Sequence, residues 1–261
     1  MKALYTASTG MAAQERNVEV ISNNIANMRT TGFKKQRADF QDLLYQVYRR
    51  AGSQTSESGT QLPTGVEVGS GVKLGATPRI MSQGSVAPTQ KELDVAIRGE
   101  GFFSITMPDG RTGYTRDGSF ERDSQGQLVT IEGYQVQPGI IIPDGARSIS
   151  ISADGQVEAF LNQDASPTAL GQLQLSRFVN KAGLEAVGDN LYVETAASGS
   201  AQTGTANGDG FGNLLQGHLE MANVNAVTEI ADLIAAQRAY EMNARVISGA
   251  DEMLQATSQL R

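Results

Sequence analysis

Leu4, Ala7, Met11, Gln14, Val18, Ile21, Ile25 and Met28 recur at alternating spacings of three and four, which is the period of one helical face. Ile230, Leu233, Gln237, Tyr240, Ala244, Ile247, Asp251 and Leu254 repeat the pattern at the other end of the chain. A seam this narrow cannot be buried by one helix alone, so each end calls for a partner helix. The partner is either the other end of the same chain or another copy. Gln14, Gln237 and Asp251 interrupt the seams, and Ala12-Ala13 and Ala235-Ala236 allow close approach. Both features suit a packed multi-helix lattice better than an isolated dimer.

Residues 3–28 read as one helix, about 38 Å long at 1.5 Å per residue. Asn23, Asn24 and Asn27 weaken its last turns, and Gly32 supplies a left-handed stop. Asn225 is a suitable cap for a second long helix over 226–258. Ala38, Phe40, Leu43, Leu44 and Val47 suggest a further short helix over 38–48. Residues 51–65 are small, polar and rich in Gly, Ser and Thr, and predict an exposed or extended segment.

From about 66 to 200 the period changes to two. Leu93, Val95 and Ile97 alternate with Asp94, Ala96 and Arg98, and Phe102 to Met107 reads as a strand. Turn pairs follow at Asp109-Gly110, Asp117-Gly118, Gln125-Gly126, Glu132-Gly133, Asp144-Gly145 and Asp154-Gly155. Such pairs between apolar runs signal hairpins, because both positions tolerate positive φ. Residues 196–212 read as a linker. The expected fold class is therefore α+β: long terminal helices forming a coiled-coil-like domain, with an antiparallel β-rich domain inserted between them. The boundaries are 1–45 plus 219–261 for the helical domain, 46–75 plus 196–218 for extended connections, and 76–195 for the β domain.

Charge and composition narrow the function. The net charge of −7 argues against nucleic acid as a partner. Residues 1–50 have a balance of +4 and residues 219–261 a balance of −3, which favours packing of one end on the other. No apolar run reaches the ~20 residues needed to span a bilayer, and no apolar stretch follows Lys2 as a cleavable signal requires. Cysteine is absent and His218 is the only histidine, so there is no thiolate chemistry and no His/Cys metal cluster. Glu121, Asp123, Gln125, Gly126 and Glu132 fit a calcium-loop spacing, but two side chains are one carbon too long and the flanks read as strands. The acids Asp117, Glu121 and Asp123 lie in or near glycine-bearing turns, where acidic residues serve turn geometry. No catalytic, metal or cofactor residue is assigned.

Three separated stretches carry a resemblance. Ile21-Ser22-Asn23-Asn24-Ile25-Ala26-Asn27-Met28-Arg29-Thr30-Thr31-Gly32-Phe33-Lys34 resembles the N-terminal signature of bacterial flagellar rod and hook proteins. Gln237-Arg238-Ala239-Tyr240-Glu241-Met242-Asn243 resembles the paired C-terminal signature. Tyr114-Thr115-Arg116-Asp117-Gly118-Ser119-Phe120 and Gly133-Tyr134-Gln135-Val136-Gln137-Pro138 are similar to the central β domain. The length is that of a rod member, not of the larger hook protein, and 51–65 with Leu62-Pro63-Thr64-Gly65 is similar to an insertion of one rod protein.

The resemblance implies a structural subunit with no cofactor, exported through the flagellum's own channel without a cleaved signal. It implies helical stacking into a hollow shaft, helices inside and β domain outside, transmitting torque across the periplasm. The implied partners are further copies, proximal rod proteins, the hook protein, the surrounding bushing rings and the export apparatus, with no membrane insertion. The assembly residues are the two seams from Leu4 to Met28 and Ile230 to Leu254, together with Asn27, Gly32 and Phe33. The expectation for 51–65 is that it fills gaps between copies and keeps the shaft straight. A proximal rod or hook-type member, a secreted β-rich binding module and a wall-cleaving enzyme are the rival readings.

Overall fold

The computed structural model describes residues 2–53, 62–161 and 166–259. The chain divides into two compact units, 1–25 with 36–78 and 225–261, and 26–35 with 79–224. The class is α+β, with a helix at each end of a β-rich middle.

The first unit holds the two long helices, α1 (Lys2–Ala26) and α2 (Ala226–Gln259). Asn225 caps α2 as its position foretells: its Oδ1 accepts from the backbone N–H of Val227 at 3.0 Å and of Thr228 at 3.3 Å. The helices pair within the chain and run antiparallel. A β-carbon added at Gly10 would lie 2.9 Å from the Asn243 amide, and Asn24 donates to Glu229 Oε2 at 3.1 Å. The partners of these contacts stand fourteen residues apart on each helix, in opposite directions.

The buried line of α2 is set by this pairing. Glu229, Ala236 and Ala250 are buried and Asn243 is half-buried, whereas Ile230, Gln237 and Asp251, one residue further on, are exposed. Leu233 and Ile247 are half-buried and common to both lines. Ala236 and Ala250 on this line are small, so the buried face of α2 is not its most apolar one.

Asn24 is the polar anchor of this unit. Its Oδ1 accepts from Gln36 N–H at 2.9 Å and its Nδ2 donates to Gln36 O at 2.8 Å. Asn24→Ala leaves the Gln36 backbone groups without this partner and takes one donor from the Glu229 carboxylate, an expected loss of about 2–3 kcal/mol. Asn24→Asp, though isosteric, costs no less, because it removes the donor and sets a second carboxylate beside Glu229. Urea denaturation of both variants checks this; a neutral Asn24→Asp would refute it.

Residues 38–48 are not helical. Asp39–Asp42 pairs with Val72–Ala76, and Tyr45–Arg49 with Val66–Gly69, both antiparallel. Tyr45, Val47 and Tyr48 are strand formers, and in this run an apolar spacing that suited a helix suits paired strands equally. The 51–65 segment lies outside the described residues at 54–61; at its margins Gly52 N–H donates to Leu62 O at 2.8 Å.

The second unit is built on a nine-stranded sheet among the described residues, Phe102–Thr106 lying next to Thr112–Thr115, Gln135–Val136 and Gln174–Arg177. A three-stranded sheet (Ala146–Ile151, Gln156–Leu161, Thr168–Gln172) and the pairs Val95–Arg98 with Asn213–Gln216 and Val86–Pro88 with His218–Glu220 complete it. Val95, Ile97, Phe103, Ile105, Leu175 and Leu214 lie in one buried cluster. The Phe103 and Phe120 rings meet edge to face at 5.0 Å.

Ala96 is as fully buried as its neighbours Val95 and Ile97, so that strand is covered on both faces and the expected alternation is lost. The linker expected at 196–212 contains the strand Gln202–Thr205, paired with Gln174–Arg177; it is polar because three of its four residues are exposed. The hairpin reading holds at Gly110, Gly126, Gly133 and Gly155, with φ between +81° and +86°. It fails at Gly118, where a β-carbon would lie 1.7 Å from Val95 O; that glycine is there for close packing, not for a turn. Asp123 Oδ1 accepts from Gln125 N–H at 2.8 Å and Gln127 N–H at 2.7 Å, which makes it the organiser of the hairpin between Phe120–Arg122 and Leu128–Thr130.

Candidate functional site

The residues after α1 that carry the N-terminal signature lie wholly in the second unit. Thr30 N–H donates to Asn27 O at 3.0 Å, and Thr30 Oγ1 donates to Asn27 Oδ1 at 3.1 Å. Gly32 then takes φ +68°. Its N–H donates to Glu220 O at 2.7 Å, and Thr31 Oγ1 donates to Asp117 Oδ2 at 3.2 Å. These bonds bring the signature against the Thr115-Arg116-Asp117 stretch from the middle of the chain.

Lys34 follows, and it is buried to 1 % exposure. Its Nζ donates to Glu220 Oε1 at 2.6 Å and to Ser82 O at 2.8 Å. Glu220 Oε1 also accepts from Gly84 N–H at 2.8 Å. Arg116 Nε lies 3.0 Å from Glu220 Oε2, and the guanidinium donates to Gly99 O at 2.9 Å and Gly101 O at 2.8 Å. Asn223 closes the arrangement: it accepts from Lys35 N–H at 2.8 Å and donates to Ile80 O at 2.7 Å. Two cations and one carboxylate are thus held inside the unit, with the backbone carbonyls of Ser82, Gly99 and Gly101 accepting further protons from the cations.

Burial pushes the Lys34 ammonium below the ordinary lysine value of 10.5, Glu220 opposing the shift and Arg116 adding to it. Burial likewise lowers Arg116, against the pull of Glu220 and Glu100. The sign for stability follows. Between the lowered native value of Lys34 and 10.5 the unfolded chain holds a proton that the folded chain has released, so this group's contribution rises with pH across that window. Lys34→Met removes the rise. The difference in urea midpoint between wild type and variant is therefore expected to grow from neutral pH toward pH about 10; a constant difference would contradict the assignment.

The arrangement is a clasp and carries no chemistry of its own. Each charged group is engaged by fixed protein partners and is out of reach of solvent. It ties the segment that leaves α1 (residues 29–35) to the segment that enters α2 (residues 220–223), using the strand ends at Gly84, Gly99 and Gly101. Lys34 and Arg116 stand in the signature stretches. Glu220, which both cations share, has no marker in the sequence: it is one acid in His218-Leu219-Glu220-Met221. Asn24 also stands in the N-terminal stretch, though by itself it reads only as weakening the last turns of a helix, and Asn223 is unmarked.

The assembly residues named from the seams fall into three groups. Ala7 and Ile21 are buried, and Leu4, Met11, Gln14, Val18, Ile25, Asn27, Phe33, Leu233, Ala244 and Ile247 are half-buried. Met28, Ile230, Gln237, Tyr240 and Leu254 are exposed. Gly32 is buried against Arg116 and Asp117 of its own chain, which gives it an intrachain place. His218 Nδ1 donates to Gln216 O at 2.7 Å within a strand pair.

Three family models match along the chain. Residues 4–34 match the flagella basal body rod protein model, residues 96–159 the flagellar hook protein FlgE/F/G D1 domain, and residues 215–260 the flagellar basal body rod FlgEFG protein C-terminal model. These matches place the chain among the structural proteins of the bacterial flagellar rod, not among enzymes. Flagellar basal-body rod protein FlgG of Caulobacter vibrioides is 59 % identical over 261 residues, covering 100 % of both chains. FlgG of Borreliella burgdorferi is 48 % identical, over 100 % of this chain and 99 % of its own, and FlgG of Bacillus subtilis is 38 % identical over the same shares. The chain belongs to the FlgG family of flagellar basal-body rod proteins and is a structural subunit of the distal rod.

Proposed function

We propose that this chain polymerises head to tail into the rigid hollow shaft that carries torque from motor to hook and conducts exported subunits. Its helical ends (1–45 and 219–261) form the inner, coiled layer, and its β-rich part (76–195) lies outside, joined by 46–75 and 196–218. The observation that carries this is apolar surface left on the helices after they pair. Tyr5, Val227, Ile230, Ile234, Met242, Val246 and Met253 are all exposed. A head-to-tail contact that does not close on itself generates an open helical array. The partners at its ends and sides are proximal rod proteins, hook protein and ring proteins, and the subunit leaves the cell through the flagellar export apparatus without a cleaved signal.

The clasp fits this role. It holds residues 29–35, which follow α1, and residues 220–223, which precede α2, to each other and to the same strand ends. Electron microscopy of the purified protein at high concentration tests the proposal. Hollow tubes, with a gain in helical circular dichroism over the dilute monomer, are the expected result. A chain that stays monomeric at every concentration, with both ends protected from protease, would end it.

A further inference from the structure

Six of the eight exposed large apolar side chains of α2 among the described residues form two patches on opposite flanks of the helix, while Tyr240 and Leu254 follow the line of Leu233 and Ile247. The buried line runs through Glu229, Leu233, Ala236, Asn243, Ile247 and Ala250. With that line as reference, Val227, Ile230 and Ile234 sit roughly 80–130° round to one side, at heptad geometry. Met242, Val246 and Met253 sit roughly 80–130° round to the other. All six are between 45 % and 78 % exposed. The flanks do not continue into each other's half. On the first flank the C-terminal half carries Ala244, Ser248, Asp251 and Gln255; on the second flank the N-terminal half carries Thr228, Asp232, Ala235 and Ala239. Apolar surface therefore changes sides near the middle of the helix. On the second flank a β-carbon at Gly249 would meet nothing within 4 Å, which leaves room for a close neighbour.

We infer that the occupant of each patch is the other patch on a second copy of this chain: Val227, Ile230 and Ile234 of one subunit pack against Met242, Val246 and Met253 of the next. This rests on the polymer proposed above and specifies its contact. Like-with-like pairing of one patch closes a two-fold dimer, and pairing both patches that way gives an array without direction, whereas unlike patches on opposite flanks leave one of each free after every addition, all copies pointing the same way. The patch centres are separated by some seventeen residues, so parallel copies would be staggered by about 25 Å at 1.5 Å per residue. The N-terminal half of one α2 then lies beside the C-terminal half of its neighbour's.

The absence of cysteine makes the contact directly readable. Three preparations are needed: Ile230→Cys alone, Val246→Cys alone, and the two combined in one chain. Both sites are exposed, so folding is not at stake, and sixteen residues of helix hold them about 24 Å apart, too far for a disulfide within one chain. After assembly and oxidation, the doubly substituted tubes are expected to give a ladder of cross-linked multimers on a denaturing gel. Each single variant is expected to stay monomeric, and a mixture of the two to give dimers and nothing larger. Tubes that form but yield no ladder, or single variants that cross-link to themselves, overturn the inference and leave the polymer standing. Failure of the wild type to form tubes overturns the polymer, and this contact with it.

Discussion

Glu220→Gln is expected to lower the stability of the β-rich unit by about 3–5 kcal/mol, because one neutral amide replaces the only carboxylate between two buried cations. The geometry explains the size. Glu220 is fully buried and stands 2.6 Å from Lys34 Nζ and 3.0 Å from Arg116 Nε. Glutamine keeps one acceptor oxygen but turns an NH2 group toward either an ammonium or a guanidinium. Lys34 and Arg116 then repel each other in a buried site, with only the more distant Glu100 left to offset them. Urea denaturation followed by tyrosine fluorescence is suitable, since the chain has seven Tyr and no Trp. The diagnostic comparison adds Lys34→Met to Glu220→Gln. Removing one cation relieves the repulsion, so the double variant should be more stable than the sum of the single losses implies, by about 1–3 kcal/mol. Additive losses, or a Glu220→Gln loss below about 1 kcal/mol, would mean that the cluster is a surface-like pair and not a clasp.

Gly32→Ala is expected to cost about 2–4 kcal/mol, from two sources. The left-handed φ of +68° costs a residue with a side chain about 1–2 kcal/mol. In addition, the new β-carbon would lie 2.7 Å from Asp117 N and 2.8 Å from Arg116 C. Those are backbone atoms, so no rotamer change relieves the contact. Gly32→Asn separates the two sources, because asparagine tolerates this φ better than alanine does. If the contact dominates, asparagine is as harmful as alanine; if φ dominates, it recovers most of the loss. Thermal unfolding of the three proteins decides between them. Either substitution is also expected to abolish swimming, since Gly32 N–H donates to Glu220 O and its displacement loosens the same clasp. Motile cells with straight rods from Gly32→Ala would refute the structural role assigned to this position.

Much of this was legible in the residues because it depends on neighbours in sequence. The 3-4 spacing of α1 and α2, the Asn225 cap and the turns at Gly110, Gly126, Gly133 and Gly155 are local matters of backbone geometry and periodicity. The misreadings have a common cause. Phe40, Leu43, Leu44 and Val47 fit a helical spacing, yet Tyr45–Arg49 finds its hydrogen bonds in Val66–Gly69, nearly twenty residues away. Gln202-Thr203-Gly204-Thr205 has the composition of a linker and becomes a strand because Gln174–Arg177 offers it an edge. Ile230 and Gln237 lie on an apolar-looking line one position away from the line that is buried, Glu229, Ala236 and Ala250.

The sequence by itself determined the kinds of element, their order and the family signatures, since periodicity, capping and turn chemistry act over a few residues. Only the tertiary structure decided that Lys34, Arg116 and Glu220 share one site and which face of α2 stays open. Lys34 and Glu220 are 186 residues apart, and an ion pair at that separation leaves no periodic trace. It exists because the folded strands bring the charges within hydrogen-bonding distance and exclude the water that would otherwise solvate them.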